Sequence, residues 1–250
     1  MPLFFHYQSI LAPLAAVTAM AVLSATSAQT AGPTPDCSAP PGFARFDVPL
    51  KRVANAISAN QHLMIVAIGS SSTFGAGASS AAMSYPSRLA VELRALLPDT
   101  SITVMNRGVN GDTAREMLVR FDRDVFAANP DLVLWQVGSN AVLLGRSTAA
   151  TDLLIKEGLR RLKIAGPDVI LIDPQYAPKV IGKNDEDDVD QMIALIHRTS
   201  SELNVNQFHR FALMRYWRVT KGLPFRAFLS DDELHMNDWS YGLYGSLCPP

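Results

Sequence analysis

The first 35 of the 250 residues contain no Lys, Arg, Asp or Glu, and the formal net charge of the chain is only −1. This balance leaves no basic surface of the kind that attracts nucleic acid. After this segment the chain contains no apolar run of about 18 residues, so we expect no membrane span in the mature protein. The remaining composition is too apolar and too weakly charged for a disordered chain. We therefore expect one globular body of about 215 residues, large enough to bury its own core.

Cysteine is nearly absent, with only Cys37 and Cys248 in the chain. Neither belongs to a CxxC pair or a Cys/His cluster, so the sequence predicts no metal site. The two cysteines lie near opposite ends of the globular body. They could form a disulfide in an oxidising compartment and tie those ends together. Two unrelated thiols are the alternative.

The uncharged N-terminus is typical of an export signal. Residues 10–23 are apolar, and Thr26 and Ala28 suit the small-residue positions before a cleavage site. We predict a signal peptide over residues 1–28, a linker and N-terminal lead-in over 29–60, and one domain over 61–250. The protein is then exported, either periplasmic or secreted. The signal lacks the usual Lys or Arg near its start, so an uncleaved anchor is the alternative.

Short apolar runs alternate with segments of helical periodicity along the body of the chain. This alternation predicts a parallel sheet with helices on both faces. The predicted strands are residues 64–69, 102–105, 131–137, 169–172 and 204–208; the predicted helices are residues 85–97, 113–128, 148–165, 187–203 and 237–247, with Thr148 as the cap of the third. In sheets of this kind ligands bind at the carboxyl ends of the strands.

Residues suited to nucleophilic catalysis follow three of these strands and recur near the C-terminus. Ser71 lies in GSSST after the first strand, Gly111 in NRGVNGDT after the second, and Asn140 in GSN after the third. Asp232 and His235 lie in DDELH. Each segment is ordinary alone, but their order and their places at strand ends indicate one site.

These residue types provide a complete set for nucleophilic catalysis. A serine nucleophile needs a base to accept its proton, and His235 would serve Ser71. Asp232 would orient the imidazole. The backbone N–H groups of Ser71 and Gly111 and the side-chain amide of Asn140 would donate to the oxyanion.

The four segments resemble the blocks of the SGNH family, also called GDSL esterases or lipases. The resemblance extends from about residue 64 to 247, and the DxxH block is its most specific part. It implies an α/β fold: a three-layer α/β/α sandwich of flavodoxin-like architecture, with five parallel strands in the order 2-1-3-4-5. It also implies ester hydrolysis without a cofactor.

The sequence departs from the family pattern at two positions. Ser70 replaces the Asp before the nucleophile, and Ala141 replaces the Asp after the third-block asparagine. We expect both changes to alter the shape and support of the site rather than to abolish activity. Gly108 is a rival to Gly111 as the oxyanion glycine. The small residues of the loop 75–83 suggest a site that is open on that side.

We therefore expect an exported serine hydrolase that acts on short-chain acyl or O-acetyl esters through an acyl-enzyme. Its partner would be a small-molecule, glycan or lipid ester. The same residues would also suit a periplasmic O-acyltransferase, a lysophospholipase or a thioesterase. A non-catalytic binding protein on the same fold is the alternative from another class.

Overall fold

A computed structural model describes residues 46–182 and 186–245. Its five parallel strands form one sheet in the order β2-β1-β3-β4-β5, which confirms the 2-1-3-4-5 order implied by the family resemblance. The strands are β1 Leu63–Gly69, β2 Ile102–Gly108, β3 Leu132–Gln136, β4 Asp168–Ile172 and β5 Asn206–Phe208.

Helices connect the strands and cover the sheet. They are α1 Lys51–Ser58, α2 Ser71–Phe74, α3 Tyr85–Leu96, α4 Ala114–Val119, α5 Phe121–Asp124, α6 Ser139–Leu143, α7 Thr148–Ala165, α8 Pro178–Ile181, α9 Glu186–Glu202, α10 Arg210–Val219 and α11 Asp238–Gly245, with short 3-10 turns at Ala81–Met83, Phe126–Ala128 and Phe225–Ala227. Within the two described ranges, no helix has the length and apolarity needed to cross a membrane.

Two apolar clusters lie on opposite faces of the sheet and make the protein three layers thick. Successive residues of a strand point to opposite faces, so Ile65 and Ala67 of β1 belong to one cluster while Val66 and Ile68 belong to the other. The first cluster includes residues of α1, α3, α10 and α11, and the second includes residues of α4, α5, α7 and α9. The three-layer prediction is therefore confirmed.

The helix predicted over residues 113–128 is wrong, because the chain turns at Arg120 and divides it into α4, α5 and a 3-10 turn. The turn carries the buried guanidinium of Arg120 beneath the strand ends, where it donates to the carbonyls of Gly69 at 3.0 Å and Arg107 at 2.8 Å. It also pairs with Asp112 at 2.8 Å and Asp124 at 2.9 Å. These contacts fix the carboxyl ends of β1 and β2 relative to each other.

Two other local features differ from the sequence predictions. Ser147, not Thr148, caps α7, since its hydroxyl accepts from the backbone N–H of Ala150 at 3.3 Å. The lead-in predicted over residues 29–60 contains α1, which the sequence analysis did not predict. Its Val53 N–H donates to Asp168 at 3.0 Å, so α1 packs against the sheet near the start of β4. Cys37, Cys248 and the predicted signal peptide lie outside the described residues.

Candidate active site

Ser71 follows β1 directly, at the first position of the short helix α2. The preceding strand residue Gly69 permits this sharp transition, because a Cβ there would lie 2.1 Å from the Thr73 hydroxyl and 2.9 Å from Gln136. Ser71 is half-buried at the carboxyl edge of the sheet. The first N–H groups of a helix have no partner within it, so the backbone here is available as a donor.

Asp232 and His235 lie on a tight loop closed by an antiparallel bridge between Leu229 and Met236. One carboxylate oxygen of Asp232, Oδ1, accepts from the backbone N–H groups of Leu234 at 2.9 Å and His235 at 2.8 Å. The other, Oδ2, is 2.5 Å from Nδ1 of the His235 ring. The DxxH spacing therefore lets one carboxylate both hold the loop and bind the imidazole.

The predicted nucleophile, base and orienting carboxylate form a continuous hydrogen-bonded chain, called the relay below: Ser71, His235 and Asp232. Nε2 of His235 is 2.7 Å from Oγ of Ser71, across 164 residues of sequence. Because an ionised carboxylate only accepts, Nδ1 of the ring carries the proton toward Asp232. Nε2 is then free to accept the proton of the Ser71 hydroxyl.

The loop also keeps Asp232 ionised. Partial burial raises the pKa of Asp232, but hydrogen bonds from the His235 ring, from two backbone N–H groups and from the Ser230 hydroxyl together outweigh it. The net result is a pKa well below the ordinary value for an aspartate. The negative charge that orients His235 is therefore present throughout the neutral pH range.

The two remaining oxyanion candidates lie close together. Gly111 adopts φ +82°, and a Cβ there would meet nothing within 4 Å, so its backbone faces open space. The Asn140 side chain donates through Nδ2 to the carbonyl of the adjacent Asp112 at 2.8 Å. This bond uses one of the two amide hydrogens of Asn140 and leaves the other as a donor.

The rival glycine has a packing role. A Cβ on Gly108 would lie 2.0 Å from the backbone nitrogen of Phe74, so this glycine lets β2 approach α2 closely. The N–H of Gly108 already donates to Oδ1 of Asn106 at 2.9 Å, so Gly111 remains the preferred oxyanion glycine, and its role stays a prediction. In the loop 75–83, a Cβ on Gly77 would lie 2.8 Å from Cβ of His235, so this glycine lets the loop approach the His235 segment. Because Ser79, Ser80, Ala81 and Ala82 of this loop are exposed, the expectation of a site that is open on that side stays a prediction.

The two departures from the family pattern are both buried. Ser70 donates through its backbone N–H and through its hydroxyl to Oε1 of Gln136, each at 2.8 Å. Ala141 belongs to one of the apolar clusters. Ser70 thus joins the turn that carries Ser71 to Gln136 of β3.

The sequence analysis missed a buried polar layer beneath the site. It contains Gln136 at the end of β3, Asp173 and Gln175 after β4, and Arg210 at the start of α10. Burial raises the pKa of Asp173 to about 7, against the lowering effects of the Phe211 N–H and the Arg210 charge. The polar residues directly after the apolar strand β4 are the sequence signal for this layer. No cluster of three or more potential metal ligands occurs among the described residues.

Comparison with known protein families identifies a relationship over most of the chain. Residues 36–238 match the model of the non-GDSL lipase-like family. The matched range contains all five predicted site residues.

Individual esterases are also similar to this chain. Over 50 residues the chain is 40% identical to an acetylxylan esterase of Geobacillus stearothermophilus, covering 20% of this chain and 23% of that protein. A structure of an acetylxylan esterase from that organism matches with a TM-score of 0.63 and 22% identity, over 73% of this chain and 90% of the other. Structures of two catalytic mutants of that enzyme also match, one with a serine and one with a histidine replaced by alanine.

A two-domain esterase active on acetylated mannans matches with a TM-score of 0.68 and 20% identity, over 79% of this chain and 50% of the other. At these identities the solved structures show a shared fold. The present chain spans half the length of the two-domain esterase and under a quarter of the acetylxylan esterase sequence matched above.

Proposed function

The chain belongs to the non-GDSL lipase-like family, and on that premise we propose that it is an exported serine ester hydrolase. The observation that carries the proposal is the unbroken chain from Ser71 Oγ through the His235 ring to the Asp232 carboxylate. It lies at the carboxyl ends of parallel strands, where ligands of such sheets bind.

In the proposed acylation step, Oγ of Ser71 attacks the ester carbonyl carbon while Nε2 of His235 takes the hydroxyl proton. Asp232 stabilises the imidazolium that forms. The N–H groups of Ser71 and Gly111 and the free amide hydrogen of Asn140 donate to the oxyanion. The tetrahedral intermediate then expels the alcohol oxygen, which takes the proton from His235.

Deacylation repeats the same chemical steps with water as the nucleophile. His235 removes a proton from the water, which attacks the acyl carbon, and then returns a proton to Ser71 Oγ as it leaves. The products are the free acid and the regenerated serine. Each step is a proton transfer or an acyl transfer, so these side chains and backbone donors suffice for the proposed chemistry.

We propose O-acetyl groups on glycans as the substrate class. The relatives named as acetylxylan esterase and as active on acetylated mannans support this choice. The N-terminal composition supports export, and an exported enzyme would meet such glycans outside the cytoplasm. The mature protein recovered from an exporting host should begin at Gln29; a chain that retains Met1 would contradict cleavage.

A fluorophosphonate probe and a panel of esters test the function. Wild-type protein should be labelled at Ser71, whereas Ser71→Ala should not, and exposed Ser80→Ala should be labelled like wild type. Acetylated oligosaccharides should be hydrolysed faster than medium-chain or phospholipid esters. Equal labelling of Ser71→Ala would remove the nucleophile assignment, and a preference for long acyl chains would remove the substrate class.

A further inference from the structure

Gln175 lies after β4 with only 2% of its surface exposed, and its amide contacts three separate segments of the candidate site. Its Oε1 accepts from the Ser139 hydroxyl at 2.8 Å and, in a longer contact, from the Ser72 hydroxyl at 3.4 Å. Its Nε2 donates to the carbonyl of Leu234 at 3.3 Å.

These three partners are the immediate neighbours of the proposed functional side chains. Ser72 follows the nucleophile, Ser139 precedes the oxyanion asparagine, and Leu234 precedes the proposed base. One buried amide therefore links three segments that are far apart along the chain. Their relative positions determine whether the serine, the amide donor and the imidazole meet the same substrate carbonyl.

The orientation of the Gln175 amide follows from the chemistry of its neighbours. Arg210, which is 1% exposed, only donates, and its guanidinium lies 3.1 Å from Gln175 and donates to the Asp173 carbonyl at 2.8 Å. The oxygen of Gln175 must therefore face Arg210. The Leu234 carbonyl only accepts, so the nitrogen must face Leu234.

A second buried amide fixes the Ser139 hydroxyl in the same way. Oε1 of Gln136 accepts from the backbone N–H of Ser70, which leaves Nε2 of Gln136 to donate to the Ser139 hydroxyl at 3.3 Å. The Ser139 hydroxyl accepts from Gln136 and donates to Gln175, so its one proton points to Oε1 of Gln175. A buried chain of hydrogen bonds of this kind favours one arrangement of the segments that it joins.

We propose that Gln175 is a positioning residue, which holds the Ser71 turn, the Asn140 helix and the His235 loop in catalytic register, with Arg210 fixing its amide. The kinetic part of this inference rests on the proposed esterase function. Gln175 acts only through its neighbours and touches no reacting atom.

Two substitutions at this position separate positioning from stability. Gln175→Met keeps the approximate side-chain length and removes all of the amide contacts. Gln175→Glu keeps the acceptor toward Ser139 and gains a charge pair with Arg210, but it places an oxygen against the Leu234 carbonyl. We expect Gln175→Glu to remain as heat-resistant as wild type while its kcat falls.

The matched control is Gln207→Met. Gln207 is also a buried glutamine, and it bonds Asp173 at 3.1 Å and Ser200 at 3.0 Å without touching any of the three site segments. We expect it to unfold at a lower temperature than wild type while kcat stays within about twofold. Displacements on the ångström scale cost on the order of 10- to 100-fold in rate, so both Gln175 variants should lose kcat by that factor with little change in KM.

A spectroscopic readout keeps this test independent of ester turnover. The proton between His235 Nδ1 and Asp232 should give a far-downfield resonance in protein labelled with [15N]histidine. It should shift or broaden in both Gln175 variants and stay unchanged in Gln207→Met. If esters are not hydrolysed but the resonance responds in this pattern, positioning stands and the esterase function fails. If the resonance and kcat of Gln175→Glu match wild type, or Gln207→Met alters them equally, the positioning role is wrong.

Discussion

The proposed relay and the polar layer beneath it differ sharply in exposure. The side chains of Asp232 and His235 are 43% and 14% exposed, whereas Gln136, Gln175 and Arg210 are at most 2% exposed. Asp232 and His235 are held mainly by short contacts within their own loop. The buried layer instead joins segments from different strands and helices.

The difference separates two tasks within one site. Ser71 and His235 must reach substrate and exchange protons, and Asp232 must contact the His235 ring, so each has a polar group that faces solvent or another member of the relay. The buried residues bond to one another and to the site segments, although one guanidinium nitrogen of Arg210 has no hydrogen-bond partner among the described residues, and they set the positions of the exposed groups. Changes in the relay should therefore alter the chemistry directly, while changes below it should act through geometry.

Among substitutions that leave the nucleophile and the base in place, Asp232→Asn should have the largest effect. An amide nitrogen at this position would compete with the Nδ1 proton of His235 and favour the wrong tautomer. We expect kcat for p-nitrophenyl acetate to fall by roughly 10⁴. The control is Asp122→Asn, an exposed aspartate whose side chain is 82% exposed. A loss below about tenfold for Asp232→Asn would mean that the carboxylate does not orient the base.

Asn140→Ala should have the next largest effect. Removal of one oxyanion donor costs roughly 10² to 10³ in turnover, with the loss falling on kcat rather than KM. Asn55→Ala, an exposed change on α1, should leave the kinetics unaltered. Unchanged kcat in Asn140→Ala would show that this amide does not meet the oxyanion.

Gly111→Ala should have a smaller effect on turnover. Gly145→Ala is the matched control that separates this effect from a loss of stability. Gly111 and Gly145 both have positive φ, at +82° and +58°, and a Cβ on either meets nothing within 4 Å. The backbone conformation should cost each alanine variant about 1–2 kcal/mol of unfolding free energy. Only Gly111→Ala should also lose turnover, because its Cβ would stand where substrate approaches. Equal kinetics for both variants would remove Gly111 from the oxyanion role.

The last effect should fall on stability and not on turnover, and it comes from Asp173 in the buried layer. Its pKa is about 7 in the folded protein, against about 3.9 in an unfolded chain. As pH rises from about 4 to 7, the unfolded chain releases this proton first, so the unfolding free energy should fall and then level off. Asp173→Asn should reduce that decline in urea titrations at pH 5 and 8. An identical decline in the variant would assign it to another group.

The exposed layer could be predicted from sequence because each reactive side chain has a known role and a characteristic spacing. The DxxH spacing predicts a carboxylate and an imidazole in one turn, and the geometry of Asp232 and His235 agrees with it. The strand order came from the family resemblance, because alternating strands and helices do not determine which strands are neighbours.

The buried layer could not be predicted in the same way. Gln136 lies within an apolar strand and Arg210 begins a helix rich in aromatic residues, and neither position belongs to a spaced motif. Their role depends on tertiary contacts across the sheet. The turn at Arg120 was missed for a similar reason, since its guanidinium binds strand-end carbonyls that helical periodicity does not reveal.

The most direct test of the account is the detection of the acyl-enzyme. Wild-type protein mixed briefly with p-nitrophenyl acetate and quenched in acid should carry one acetyl group on the peptide that contains Ser71. Ser71→Ala should carry none, and Asn140→Ala should acquire the group more slowly. Turnover of the ester with no acetyl group on Ser71, or with the group on another side chain, would contradict the proposed nucleophile.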